Sequence, residues 1–254
     1  VEMQDRVVIV SGGTSGVGKA IATRFVEEGA HVVILGLNDV KGNEVQEQLR
    51  ATAKKHGVAD CIYLHTDVSD STEVQNTLRV VTERWHQVHV LVNNAAIMKS
   101  GALVDMDVAD WDETMAINLR GPFLLSKYSI PVMPPEAAIV NISSVHAIAT
   151  DANTAAYTAS KGGLEALTRA LAIECYPRKI RVNALRLGAV DTGMLWNNPD
   201  VQSGEEKVDL NEVASPELIA ELALFLASQR SRFVSGAVLT ADAGRLPILA
   251  SHAS

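Results

Sequence analysis

The chain has 254 residues, 47% of them apolar and 20% charged, which suffices to bury a large core in one or two domains. Its net charge of −8 argues against nucleic acid or an anionic membrane surface as a partner. Cys61 and Cys175 form neither a C-x-x-C pair nor a Cys/His cluster, no signal peptide opens the chain, and no apolar run nears the roughly 20 residues that span a bilayer; the expectation is a soluble, reduced, cytoplasmic protein without disulfides or structural zinc.

In chain order, residues 6–11 (RVVIVS) form a short β-branched run that passes directly into Gly12-Gly13-Thr14-Ser15-Gly16-Val17-Gly18. Residues 19–28 follow with Ala20, Ile21, Phe25 and Val26 at helical spacing, and Gly29 stops them. A dinucleotide needs this strand, loop and helix: the glycines let the backbone approach the pyrophosphate, and the free N–H groups at the helix start face its charge. Taken alone, Gly12-x3-Gly16-x-Gly18 also describes a tight turn. Residues 30–35 predict a second strand, 43–55 a helix, 60–65 a third strand, 72–85 a helix and 88–92 a fourth strand that ends at Asn93-Asn94-Ala95-Ala96. A long helical stretch over 111–128 precedes a fifth strand at 138–142. A helix carrying Tyr157, a sixth strand at 180–185, a helix over 216–227 and a strand at 237–240 complete the series.

Such alternation predicts an α/β fold in a single domain over 1–254, a doubly wound parallel sheet of about seven strands with helices on both faces. Ligands then bind at the carboxyl ends of the strands, where strand order reverses. Residues 193–215 are polar and aperiodic and hold Pro199 and Gly204, so they read as a mobile flap over the substrate. The tail after Gly244 is expected to lie on the parent domain.

Tyr157 and Lys161 stand four residues apart in a helical run and share one face. A cation beside a phenol stabilises the phenolate and brings its pKa down from about 10, which would suit Tyr157 to general acid/base work. Without company, the same spacing is an ordinary helix contact.

The company consists of Ser11-Gly12-x3-Gly16-x-Gly18, Asn93-Asn94-Ala95, Ser144 and Tyr157-x3-Lys161, with Asp67-Val68, Asn118, Asn141-Ile142-Ser143-Ser144 and Asp191-Thr192 falling in order between and after them. Together they resemble the short-chain dehydrogenase/reductase family over roughly residues 5–244. The resemblance implies a Rossmann fold, a nicotinamide cofactor and the reversible oxidation of a small-molecule alcohol to a carbonyl compound. By resemblance, Tyr157 exchanges a proton with the carbonyl oxygen, and Ser144 donates a hydrogen bond to the same oxygen. Ser143 is its neighbouring candidate, but the family's serine-to-tyrosine spacing favours Ser144. Lys161 holds the nicotinamide ribose and lowers the Tyr157 pKa, and Asn118 holds a water between Lys161 and solvent, unless it merely bonds helix backbone. The implied cofactor contacts are Gly12, Thr14, Ser15, Gly16, Val17 and Gly18 at the glycine turn, Asp67 and Val68 at the adenine, Asn94 and Ala95 at the adjoining ribose, Tyr157 and Lys161 themselves, and Thr192 at the carboxamide. Asp67 also reads as a turn or helix cap. A homotetramer built through the helices that contain residues 118–128 and 157–174 is implied as well.

The sequence departs from the family pattern where the second strand ends in Gly36-Leu37-Asn38-Asp39, which supplies neither the acid of NAD-specific relatives nor the Arg or Lys of NADP-specific ones. Ser15 and Leu37 are uncharged and Asp39 would repel a 2′-phosphate, so the balance favours NAD, with Lys41 able to reach round for NADP. Ala96 and Leu187 replace the usual glycine and proline, and both are expected to shift backbone beside the nicotinamide. Met98, Val145, His146, Met194 and Trp196 are expected to line a mixed substrate pocket, with His146 placed to bond a second substrate oxygen. Two other readings compete: a dinucleotide-binding regulator without turnover, and a sugar-nucleotide epimerase or dehydratase. The complete Ser144, Tyr157, Lys161 and Asn118 set weighs against the first, and the short carboxyl end against the second.

Overall fold

Strand β1 (Val7–Ser11) is buried along its whole length. A strand inside a parallel sheet has helices on both faces, so its apolar residues run continuously instead of alternating with polar ones. On either side β1 pairs in parallel with β2 (His31–Gly36) and β4 (Val90–Asn93). Beyond β2 lies β3 (Cys61–His65), and beyond β4 follow β5 (Ala138–Ser144), β6 (Arg181–Leu187) and β7 (Val238–Ala241). The order β3-β2-β1-β4-β5-β6-β7 makes this an all-parallel, doubly wound α/β sheet, as the alternation of elements predicts, with its reversal of strand order between β1 and β4. The computed structural model describes residues 2–56, 60–204 and 207–246; most of the tail, with His252, lies outside them.

Alternate residues of each strand feed two cores. Val8 and Val10 pack with Phe25 of α1 (Gly16–Glu27), Leu49 of α2 (Asp39–His56) and Leu224 of α9 (Pro216–Ala227), whereas Val7 and Ile9 pack with Leu78 of α3 (Ser71–Trp85) and Ala172 of α6 (Ala155–Cys175). Each valine, leucine, isoleucine or phenylalanine among them contributes about 1.5–3 kcal/mol on full burial, so the sheet is clamped from both faces.

Three differences from the sequence reading bear on the site, beside smaller shifts of boundary such as α2 beginning at Asp39 and β6 ending at Leu187. The fifth strand runs past residue 142 to include Ser143 and Ser144, because parallel pairing with β6 continues after the apolar run ends. The long helical stretch is α4 (Val108–Met115) and α5 (Gly121–Ser129), joined through a π-helical turn at Ala116–Arg120. Within 193–215, where an irregular flap is expected, the chain forms α7 (Gly193–Trp196), α8 (Pro199–Ser203) and a 3-10 turn at Leu210–Glu212, and a β-bridge joins Val190 to Ala214. Among the described residues no helix is long and apolar enough to cross a membrane.

Candidate active site

The carboxyl ends of β1 and β4 are stitched together by side chains. The Ser11 hydroxyl accepts from the N–H groups of Asn94 (2.9 Å) and Ala95 (3.0 Å), while the Asn94 carboxamide donates to the carbonyls of Ser11 (3.0 Å) and Gly12 (3.2 Å). Gly12 turns the chain at φ +63, and a Cβ at Gly18 would sit 2.2 Å from the Gly12 carbonyl oxygen, so only glycine permits this crossing. Helix α1 starts at Gly16 with Ser15 as its N-cap, and the Ser15 side chain makes no capping hydrogen bond. The first-turn N–H groups therefore point without a side-chain acceptor toward the cavity that Gly12, Ser15, Gly16 and Val17 line. That arrangement fits a phosphate anion.

The same cavity, of about 670 Å³, takes in Ser144, Tyr157 and Lys161. Helix α6 puts Tyr157 one turn before Lys161, and the two are 7% and 3% exposed. The Ser144 side chain is close enough to the Tyr157 phenol to favour its ionised form, and the Ser144 hydroxyl accepts from the His146 N–H at 3.3 Å. Lys161 Nζ donates to the Ile142 carbonyl at 2.8 Å and stands 5.5 Å from the centre of the Tyr157 ring. The structure departs from the expected pKa of the pair. Burial pushes the Tyr157 phenol up to about 12, against the pull of the Ser144 side chain, and burial brings Lys161 down to about 8. Desolvation is the largest cause of both shifts.

Ser143 and Ser144 are separated by their partners. The Ser143 hydroxyl donates to Glu165 Oε1 at 2.9 Å, and Arg186 grips the same carboxylate through Nε (2.9 Å) and Nη2 (2.6 Å). This ion pair, which the sequence reading missed, ties β5, α6 and β6 together behind the site. Its signal was an arginine at the end of an apolar strand and a glutamate one turn after Lys161. Asn118 lies in the π-helical turn, a feature that often marks functional positions. Its carboxamide accepts from the Ile97 N–H (2.9 Å) and donates to the Ile97 carbonyl (2.8 Å) and to Ser160 Oγ (3.1 Å), while Ser160 Oγ donates to the Tyr157 carbonyl (2.7 Å).

Asn94, Ala95, Ala96, Leu187 and Thr192 line the cavity together with the glycine turn, and Met98, Val145, His146 and Met194, expected at the substrate, line it as well. The His146 ring meets Tyr157 edge-on with centroids 5.7 Å apart, its Nδ1 is 2.9 Å from Thr150 Oγ1, and burial lowers its pKa. Several expected contacts fall outside this lining. Trp196 instead donates its indole N–H to Asp191 Oδ1 at 2.6 Å. Thr14 packs against Gly36, Gly18 against Gly12, and Val68 against Gly121. Asp67 Oδ1 accepts from the N–H (2.8 Å) and hydroxyl (2.7 Å) of Ser69, which is the capping alternative. Asp39, expected to repel a 2′-phosphate, accepts from the Tyr63 hydroxyl (2.9 Å) and pairs with His65 Nδ1 (2.8 Å), whereas Lys41 lines the cavity. Asp151 and Arg245 line it too, and the sequence reading named neither.

Residues 12–245 match the family model described as enoyl-(acyl carrier protein) reductase. The chain is 35% identical to the trans-4-hydroxycyclohexanecarboxylate dehydrogenase of Sinomonas cyclohexanicum, over 94% of this chain and 92% of that one. It is 32% identical to the 3-oxoacyl-(acyl-carrier-protein) reductase FabG of Thermotoga maritima, over 95% and 98%. Among solved structures it is similar to a short chain dehydrogenase from Burkholderia cenocepacia J2315 in complex with NADP, with a TM-score of 0.88 and 28% identity over 96% of this chain and 98% of that one.

Proposed function

The chain belongs to the short-chain dehydrogenase/reductase family, and we propose that it interconverts a secondary alcohol and a ketone with NAD or NADP, using Tyr157 as general acid and base. One observation carries this reading: the Ser144–Tyr157 hydroxyl pair and the glycine turn open into a single cavity. The bare first turn of α1 and the crossing of Gly12 by Gly18 fit a dinucleotide pyrophosphate, with Asn94, Ala95 and Thr192 along its path. When bound, the nicotinamide supplies or takes the hydride at the carbinol carbon.

The rest of the chemistry belongs to side chains of this protein. A phenol whose pKa is pushed to about 12 is protonated at neutral pH, so Tyr157 begins a reduction as a proton donor to the carbonyl oxygen. Ser144 holds that oxygen by a second hydrogen bond and stabilises its developing charge. Lys161, buried behind the phenol, stabilises the phenolate that remains. Asn118 acts as a positioning residue, since its carboxamide fixes the Ile97 backbone and, through Ser160, the first turn of α6. Asp39 stays ionised, its carboxyl held below its ordinary range by His65 and Tyr63, which engage it, while Lys41 lines the cavity, so the protein offers a cation to a 2′-phosphate and the reading takes in NADP beside NAD. The substrates named for two relatives, a 4-hydroxycyclohexanecarboxylate and a 3-oxoacyl chain, contain the alcohol or ketone the reading requires. Assembly as a homotetramer through α5 and α6 is part of the same proposal, and exposed Phe123 and Ile173 on those helices support it.

The test is a panel of secondary alcohols and ketones followed by nicotinamide absorbance, with wild type and Tyr157→Phe. The variant is expected to bind cofactor and to lose roughly 10²- to 10⁴-fold in kcat. Unchanged rates would remove Tyr157 from the chemistry, and a wild type that binds cofactor but turns over nothing would favour the silent regulator.

A further inference from the structure

We propose that the substrate side of the cavity contains an anion subsite built on Arg245, so that the alcohol or ketone this protein acts on carries a carboxylate. The inference rests on the oxidoreductase reading above and names the substrate class for that site.

Arg245 is held in place by a built turn. After β7 the chain passes through Ala243 at φ +54 and Gly244 at φ +82. A left-handed alanine is uncommon, and such conformations persist where surrounding contacts enforce them. Here the enforcing group is Asp242, whose Oδ1 accepts from the Gly244 N–H (3.0 Å) and Oδ2 from the Leu246 N–H (2.9 Å), while the Arg245 N–H donates to the Asp242 carbonyl (3.0 Å). Asp242 packs closely on Gly188 at the end of β6, and Gly188 itself lines the cavity. The turn therefore sets Arg245 and Leu246 into the wall of the site.

Arg245 is half-buried there, and its side chain makes no hydrogen bond or ion pair with any described residue. The nearest carboxylate in sequence, that of Asp242, is used by backbone N–H groups. Although the whole chain carries −8, the charged residues lining this cavity among the described residues are Lys41, Lys161 and Arg245 against Asp151. Lys161 is committed to the Ile142 carbonyl, and Lys41 is left to the cofactor reading given above. Arg245 is the cation left for the substrate. Its charge is felt at His146, where burial lowers the pKa first, Asp151 raises it and Arg245 lowers it, and the His146 ring in turn touches Tyr157. The wall thus runs from the proton donor Tyr157 through His146 to a cation suited to bidentate carboxylate binding. A ketone oxygen at one end and a carboxylate at the other would fix the carbonyl carbon between them.

The experiment compares linear oxocarboxylates of increasing length, beginning with 4-oxopentanoate, each against its own methyl ester. In wild type the best acid is expected to exceed its ester in kcat/KM by roughly 10- to 100-fold. Arg245→Gln should bring that ratio close to one, and Arg245→Lys should retain part of it. Calorimetric titration of the protein with the same acid gives a readout without turnover: Arg245→Gln should weaken binding by roughly tenfold or more, and Asp151→Asn should tighten it. Esters reduced as well as acids throughout the series would overturn the subsite and leave the oxidoreductase reading intact. An Arg245→Gln variant whose NADH or NADPH dissociation constant rises as much as that of the acid would also overturn it, by making Arg245 a cofactor contact. A protein that reduces neither acids nor esters nor any ketone of the earlier panel would sink both readings.

Discussion

The two ends of the cavity are built from different materials. At the glycine turn the wall is backbone: Gly12 crosses Gly18, the first turn of α1 faces the space, and the Ser11 hydroxyl and the Asn94 carboxamide lock two strand ends together. At the substrate end the wall is a set of separate side chains, Met98, His146, Met194 and Arg245, delivered by four segments far apart in the chain. Backbone walls leave few acceptable residues at each position, whereas side-chain walls can be rebuilt one residue at a time. Substitutions should therefore do most harm at the first end and change specificity at the second.

At the cofactor end the strongest expected effect on binding is that of Gly18→Ala. The new Cβ would lie 2.2 Å from the Gly12 carbonyl oxygen and 2.5 Å from Asn94 Nδ2, and the first of these is backbone that cannot swing aside. Relieving the clash must move the glycine turn, at a cost of about 1–3 kcal/mol in stability. Displacing the pyrophosphate cradle by even a fraction of its width should weaken cofactor binding by roughly 100-fold. Urea unfolding together with fluorescence titration by NADH and NADPH reads both quantities. Near-normal affinity would show that the crossing is incidental to the cofactor.

The same contrast governs what could be read from the sequence. Each βα unit carries its own period, and each glycine of the turn is demanded by local geometry, so the sheet, its doubly wound order and the Gly12–Gly18 turn were legible. Tyr157 and Lys161 were legible as a pair on one helix face. The direction of their pKa shifts was not, because it depends on burial, which only the packed fold fixes. Arg245, Asp151, Glu165 and Arg186 were missed for a related reason. Glu165 and Arg186 meet from α6 and β6, and Asp151 and Arg245 reach one cavity from segments far apart in the chain; no spacing along the sequence encodes those meetings. Trp196 was misplaced by position alone, since nearness to Met194 in sequence does not make two side chains face the same space.

Lys41 tests whether the backbone end also has a replaceable part. It is an exposed side chain on α2 that lines the cavity, and it is proposed to meet a 2′-phosphate. Lys41→Ala should raise the NADPH dissociation constant by roughly fivefold, the equivalent of about 1 kcal/mol for an exposed ion pair, and leave that of NADH near its wild-type value. The difference should shrink as salt is added, because an exposed pair is screened. Equal losses for both dinucleotides would place Lys41 on the pyrophosphate or on structure instead.

The smallest effect is expected at Trp196, where the sequence suggested a substrate contact. Gly193, Met194, Leu195 and Asn197 line the cavity, but Trp196, on the same short helix, does not. Its indole N–H is used by Asp191, and its carbonyl accepts from Gln202 Nε2 at 3.1 Å, so the residue pins α7 to the segment that leaves β6 and to α8. Trp196→Phe keeps an aromatic ring but removes the indole N–H donor with the second ring that carries it; the lost hydrogen bond costs about 0.5–1.5 kcal/mol, less where water replaces it, as it can for a side chain 38% exposed. KM for the best ketone should stay within roughly twofold, since no atom touching the substrate has changed. A tenfold rise in KM with unchanged unfolding would mean that the indole reaches the substrate after all. The substrate end would then include the flap's outer face, and the wall built on His146 and Arg245 would be only part of it.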